Sequence, residues 1–177
     1  ILVGSKMRAT LFRQETAYNN TQMADHMVLS APVTVPSTTA SVQFNFIHPA
    51  ARVIVVVDGG TDFTAEEIAA MTISLPGYIT GGSVTRGIYT AGTTTGNITV
   101  QQNVGANNAQ AVAIIDPQSI ASGNTVVRIT NPAGGNYNAT YGSQITFAAG
   151  QSTILNIVLR KTGMSLSARA AAWADQT

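Results

Sequence analysis

The sequence predicts an all-β protein, an antiparallel sandwich or barrel carrying one short helix. Three observations predict it. Strand-like segments recur every ten residues or so, each closed by Gly, Pro or Asn. The polar complement is Thr, Ser, Asn and Gln, while charged residues make up only 10% of the 177. Short and β-branched polar residues favour strands and tight turns over helices. Finally, no strand–helix–strand rhythm runs along the chain, so a parallel sheet is not expected.

The elements follow in order. Met7–Phe12 and Met27–Val35 read as strands of a separate N-terminal piece, too short for its own core. Pro36-Ser37-Thr38-Thr39 reads as a turn or linker, which sets expected domains at 1–38 and 39–177. Val42, Phe44 and Phe46 alternate with Ser41, Gln43 and Asn45, the mark of a half-buried strand. Arg52–Val57 is more continuously apolar and belongs at the centre of a sheet.

Thr64-Ala65-Glu66-Glu67 is a capping box, so a two-turn helix should begin there and run to about Met71. Met71–Leu75 is a strand stopped by Pro76-Gly77. Further strands are expected at 83–89, 97–101, 111–115, 125–129, 144–147, 153–159 and 165–168. Phe44, Phe46, Val53, Val55, Val57, Ile73, Leu75, Val127, Ile129, Leu155, Ile157 and Leu159 form the expected core.

Charge and composition exclude several functions. Nine Lys and Arg against eight Asp and Glu leave a net charge of +1, without the basic excess that nucleic acid requires. The longest apolar run is five residues, too short to span a membrane. There is no cysteine, hence no disulfide, Cys metal site or Cys nucleophile. The chain opens Ile1-Leu2-Val3, so any export signal or lipid anchor is expected upstream.

The chemistry-bearing residues are few. Of the two histidines, His26 lies in the N-terminal piece and His48 precedes Pro49. Neither has a His, Cys or carboxylate at i+4 for a metal, and no G-x-S-x-G elbow exists for a triad. His48 is therefore expected to be structural. Asp58, Asp62, Glu66 and Glu67 cluster without calcium-loop spacing. Asp116 and Asp175 have no partner in sequence for paired-carboxylate hydrolysis. Gly81-Gly82 and Gly134-Gly135 lack the Lys-Ser/Thr of a phosphate loop and read as turns. Asn19, Asn97 and Asn138 open N-x-T triplets of a kind expected by chance in so Asn- and Thr-rich a chain. Trp173 is expected to anchor the last strand. No catalytic, metal or cofactor residue is assigned, and an enzyme is not expected.

Four segments, taken in order, carry a resemblance. Val42-Gln43-Phe44-Asn45-Phe46-Ile47-His48-Pro49-Ala50-Ala51-Arg52-Val53 is an alternating strand ending F-x-H, followed by small residues, Arg and an apolar strand. Ala113-Ile114-Ile115-Asp116-Pro117-Gln118 is an apolar strand closed by Pro-Gln. Phe147-Ala148-Ala149-Gly150-Gln151-Ser152 leads into the long strand Ile154–Leu159, and Lys161–Leu166 through Trp173 closes the chain. This pattern resembles the fimbrillin family of Bacteroides-type bacteria. It departs from the family in having Pro49 directly after the histidine and an Ala-rich end.

The resemblance implies a transthyretin-like Greek-key sandwich, the C-terminal of two domains, in a lipoprotein exported to the outer membrane. It implies a structural subunit or adhesin of cell-surface fimbriae. Its partners would be other fimbrial subunits, bound by donor-strand exchange after an Arg-directed protease removes a strand, and host or bacterial surface ligands. Ile1–Phe12 and Met164–Trp173 are the candidate donor strands. Two other readings stay open: a glycan-binding module stacking sugars on Trp173 or on Tyr89, Tyr137 and Tyr141, and a carboxylate hydrolase.

Overall fold

The computed structural model describes residues 27–31, 41, 43–85, 88–100, 102–104 and 108–173. Strand accounts for 61% of the described residues and helix for 5%, as an all-β sandwich requires. The expected strand Met7–Phe12 and residues 32–35 of the expected strand Met27–Val35 lie outside the described residues, as do His26, Asn19, Asp175 and Val42.

Two sheets face each other. The five-stranded one is built from β3 (Ala51–Asp58), β8 (Gln102–Val104), β9 (Asn108–Ile115), β14 (Gln151–Arg160) and β15 (Gly163–Ala172). Its order is β15-β14-β3-β9-β8. The four-stranded sheet contains β4 (Thr72–Thr80), β7 (Thr94–Val100), β11 (Thr125–Thr130) and β12 (Asn136–Thr140), in the order β12-β11-β4-β7. Three two-stranded ribbons complete the chain. These are β1 (Val28–Leu29) with β2 (Phe46–Ile47), β5 (Ser83–Thr85) with β6 (Ile88–Thr90), and β10 (Gln118–Ile120) with β13 (Ile145–Phe147). The chain crosses between the large sheets from β3 to β4, β7 to β8, β9 to β11 and β12 to β14, the alternation of a Greek-key sandwich.

Arg52–Val57 is central, as its apolar run predicts. Val53, Val55 and Val57 are at most 1% exposed. Opposite them on β9 stand small residues, with Val53 facing Ala113 and Val55 facing Ala111, so β-branched bulk meets a recess. The other neighbour of β3 is β14, and this pairing is parallel, Thr153 opposite Val53 and Ile157 opposite Val57. Every other strand pairing among the described residues is antiparallel. The parallel pair needs no local crossover helix, because nearly a hundred residues separate the two strands.

Pro76-Gly77 does not end its strand. β4 continues to Thr80, with Leu75 opposite Ile98 but Tyr78 opposite Gly96, so β4 holds one extra residue. This is a β-bulge, helped by Gly77 at φ 73°. It resets the alternation, and Tyr78 turns inward beside Ile73 and Leu75. The buried Tyr78 hydroxyl donates to the Val126 carbonyl at 3.1 Å. A second bulge on β11 lets the adjacent Val126 and Val127 both face inward.

The expected single strand at 83–89 is a hairpin, β5 and β6, with Ser83 opposite Thr90. The helix α1 (Ala65–Ala70) starts at the predicted capping box. The Thr64 hydroxyl accepts from Glu67 N–H, and the Glu67 carboxylate accepts from Thr64 N–H. Ile68 is its buried residue.

One seam of the sandwich is closed by its edge strands. On one side the edge strands β12 and β15 lie against each other. Met164, Leu166 and Ala168 of β15, with Tyr137 and Tyr141, pack there on the core. On the other side the edge strands are β7, which ends at Val100, and β8, which begins at Gln102.

Ten of the twelve expected core residues are buried. Phe44 and Phe46 are not: they are 48% and 53% exposed. Their period-2 signal was real, but the face it marks lies outside the sandwich.

Candidate functional site

Of the six large apolar side chains exposed among the described residues, all but Val158 lie on or beside the ribbon of β1 and β2. Val28 pairs with Ile47 and Leu29 with Phe46, and Ser30 N–H donates to the Asn45 carbonyl at 2.9 Å. Residues directly opposite in an antiparallel pair share a face, and alternate residues return to it. One face therefore carries Leu29 and Phe46 and, by the same period, Met27 and Phe44. They are 37%, 53%, 50% and 48% exposed. On the other face Val28 is buried while Ile47 is half-exposed. Covering such a half-exposed side chain gains roughly 1 kcal/mol, so this face favours a partner.

His48 joins the ribbon to the sandwich. Its ring stacks on Trp173, centroids 4.2 Å apart and planes 8° from parallel. The Arg52 guanidinium also lies over the Trp173 ring, at 5.2 Å, and Arg52 Nε donates to Ser152 Oγ at 2.8 Å. Trp173 N–H donates to the Gly150 carbonyl at 3.2 Å, and Gly150 N–H to the Ala50 carbonyl at 2.9 Å. The corner thus stitches together the start of β3, the start of β14 and the end of β15. Both His48 and Trp173 pack within this corner.

A second polar cluster ties down the hairpin β5–β6. Asp116, at the end of β9, is buried. Its carboxylate accepts from the Tyr89 hydroxyl and from the N–H groups of Gly92 and Gly82. Burial pushes the Asp116 carboxyl above its ordinary range, and the two backbone donors pull it partly back. Gly82 leaves no room for a side chain against this carboxylate, and a Cβ on Gly92 would sit 2.7 Å from the Thr80 carbonyl oxygen. Two residues on, Gln118 accepts from Ile79 N–H at 2.8 Å and donates to the Asp116 carbonyl at 3.0 Å. β11 pairs with β4 only over Thr72–Ser74, so beyond the bulge Gln118 supplies the acceptor. The Asp-Pro-Gln run is thus a staple between β4 and the hairpin. In sequence only its turn character was visible.

The remaining candidates do not converge. Asp58 accepts from Gly60 N–H and Asp62 from Lys161 N–H, while Glu67 closes the capping box. Each of these three carboxylates is engaged by a nearby backbone amide, and Glu66 stands in the first turn of α1. Among the described residues no three His, Cys, Asp or Glu gather as metal ligands. Of the tyrosines offered as sugar platforms, Tyr89 donates to Asp116, Tyr137 meets the Phe63 ring edge-on, and Tyr141 packs on the core. Trp173 has a ring face covered by His48. Asn97 and Asn138 are exposed on β7 and β12, and Asn138 accepts from Arg128 Nε at 2.9 Å. Among the described residues no helix is long and apolar enough to cross a membrane.

With this geometry established, comparison with known proteins adds the family. The fimbrillin-like profile matches residues 6–173. The chain belongs to the fimbrillin-like family. Its fold is similar to that of a candidate cell adhesion protein from Bacteroides uniformis, with TM-score 0.73 and 21% identity over 94% of this chain and 66% of that one. A candidate cell adhesion protein from Bacteroides ovatus gives TM-score 0.65 and 15% identity, covering 96% and 60%. The tip fimbrial protein Mfa3 from Porphyromonas gingivalis, truncated at its C-terminus, gives TM-score 0.52 and 12% identity, covering 72% and 52%. This fimbrillin-like chain therefore spans less than two thirds of the length of each of these structures. No curated protein matches it. Family membership supports a fimbrial role.

Proposed function

We propose that this chain is a structural subunit or adhesin of bacterial surface fimbriae that joins its neighbours by β-strand addition. The addition takes place at the β1–β2 ribbon. The observation that carries this reading is the apolar face of Met27, Leu29, Phe44 and Phe46, exposed beside a two-stranded ladder. A ladder so short is marginal alone and is completed by further strands. An added strand gains main-chain hydrogen bonds from its neighbour and apolar contact from alternate side chains.

The candidate donor Met164–Trp173 has a different place. It forms β15, paired with β14 at ten positions. Using it as a donor would first cost those pairs. Ile1–Phe12 lies outside the described residues. The division at residues 38 and 39, and anchorage as an outer-membrane lipoprotein, belong to the same proposal.

The test uses the full chain, before and after an Arg-specific protease, alone and mixed with companion fimbrial subunits. Light scattering and electron microscopy read its assembly. The expected result is concentration-dependent polymers that Phe44→Ser/Phe46→Ser abolishes while its thermal unfolding stays unchanged. A chain that remains strictly monomeric under all these conditions contradicts the proposal.

A further inference from the structure

The corner at His48 and Trp173 lies where the chain enters the sandwich and where its last strand ends. Chain entering from β2 passes through Ile47, His48 and the buried Pro49 into β3. β15 ends one residue before Trp173. These two points are fastened to each other by side chains and loop amides. The fasteners are the His48–Trp173 stack, the Arg52 guanidinium over the same ring, and the relay from Trp173 N–H to Gly150 and from Gly150 N–H to Ala50. Arg52 is itself held by Ser152.

We propose that this corner is a tension latch. It keeps the sandwich closed against a pull applied between the β2 side and the C-terminal end, and when it opens β15 peels away first. Strand direction sets how the corner carries load. β3 and β14 both start at the corner and run away from it, and β15 returns to it. A pull between residues 47 and 173 therefore loads the β14–β15 ladder at its open end. Its pairs break one at a time, from Gln151–Ala172 down to Arg160–Gly163. Little packing opposes this, because β15 presents Ser165, Ser167, Arg169 and Ala170 to solvent and only Met164, Leu166 and Ala168 toward the core.

A pull from the corner to the far end of the sheet acts differently. It runs along β3, which is paired at eight positions with β9 and at seven with β14, and loads many pairs at once. Tension through the corner thus extends the subunit by one strand and leaves the central strands intact. The fimbrial reading supplies a source of tension. The latch itself is a property of the isolated chain, so its test stands or falls separately from assembly.

The absence of cysteine makes the experiment direct. Gln43→Cys with Thr177→Cys gives two unique handles for optical tweezers, and Gln43→Cys with Thr162→Cys gives the contrasting geometry. In the first, we expect an early low-force step before cooperative unfolding. It frees the ten residues of β15, at most roughly 33–36 Å of extended chain. Trp173→Ala should lower the force of this step or abolish it. In the second geometry the chain should yield in one high-force event that Trp173→Ala leaves unchanged. Forced unfolding reports the barrier along the loaded path, so the contrast is a kinetic readout. His48→Ala keeps the tryptophan and serves as the second variant, with the same lowering expected. Equal forces in the two geometries, or an early step indifferent to both substitutions, would overturn the latch.

Discussion

The sandwich and the ribbon that precedes it treat the same kind of residue in opposite ways. In the sandwich, alternation on β3, β4 and β14 delivers Val55, Leu75 and Leu155 to sites at most 1% exposed. In the ribbon, the equally regular Phe44 and Phe46 stay about half-exposed. Period-2 apolarity therefore shows that a face will be covered and leaves open what covers it. Where the sandwich covers it, the residue serves stability. Where nothing in the described fold does, it is available to a partner.

The contrast can be broken by mutation. Phe147→Ala and Leu155→Ala should each cost about 3–5 kcal/mol in denaturant unfolding, because both side chains are fully buried. Phe46→Ala should change stability by less than about 0.5 kcal/mol, the scale of surface substitutions. If Phe46→Ala proves as costly as Phe147→Ala, the ribbon belongs to the core and the comparison fails.

The hairpin staple lies between these extremes. Asp116→Ala strands the Tyr89 hydroxyl and the backbone amides, and should cost about 2–3 kcal/mol. Its carboxyl is raised above the unfolded value, so the folded state holds that proton more tightly. The extra stability from holding that proton is therefore fully present below the unfolded value and is lost as pH rises through the raised value. Chemical denaturation of Asp116→Asn across the acidic range should lack this component. A wild type and variant with parallel pH profiles would show that the carboxylate is not strained by burial.

Smaller effects sharpen the picture inside the sandwich. Tyr78→Phe removes the bond to the Val126 carbonyl and should cost about 1 kcal/mol, since that acceptor is left buried. Thr64→Ala should cost about 1 kcal/mol through the lost cap of α1. His48→Ala should cost about 1 kcal/mol by unstacking Trp173. Melting curves of each variant, compared with the core substitutions, check the ranking.

Much of this was legible in the sequence where the signal is local. The capping box at Thr64, the central strand at Arg52–Val57 and the long strand after Gly150 follow from adjacent residues alone. What escaped depends on distant partners. Pro76-Gly77 reads as a stop, and it becomes a bulge only because β7 continues alongside. The parallel pairing of β3 with β14 joins residues about a hundred positions apart, beyond any local pattern. Asn136–Thr140 carries too few apolar residues to announce β12, which forms because β11 and β15 flank it. Asp116 looked solitary because its three donors come from a different hairpin. The apolar ribbon was visible as a pattern, and its exposure was not.

The central claim is that assembly covers the ribbon and leaves the sandwich, β15 included, as it is. Hydrogen exchange read by mass spectrometry, on the free chain and on the chain within assembled fimbriae, tests it most directly. The account predicts new protection confined to residues 27–30 and 43–47, with β3, β14 and β15 exchanging equally in both states. Unchanged exchange in the ribbon, together with altered protection along Gly163–Ala172, would show that the last strand leaves its sheet to join a neighbour and would contradict the account.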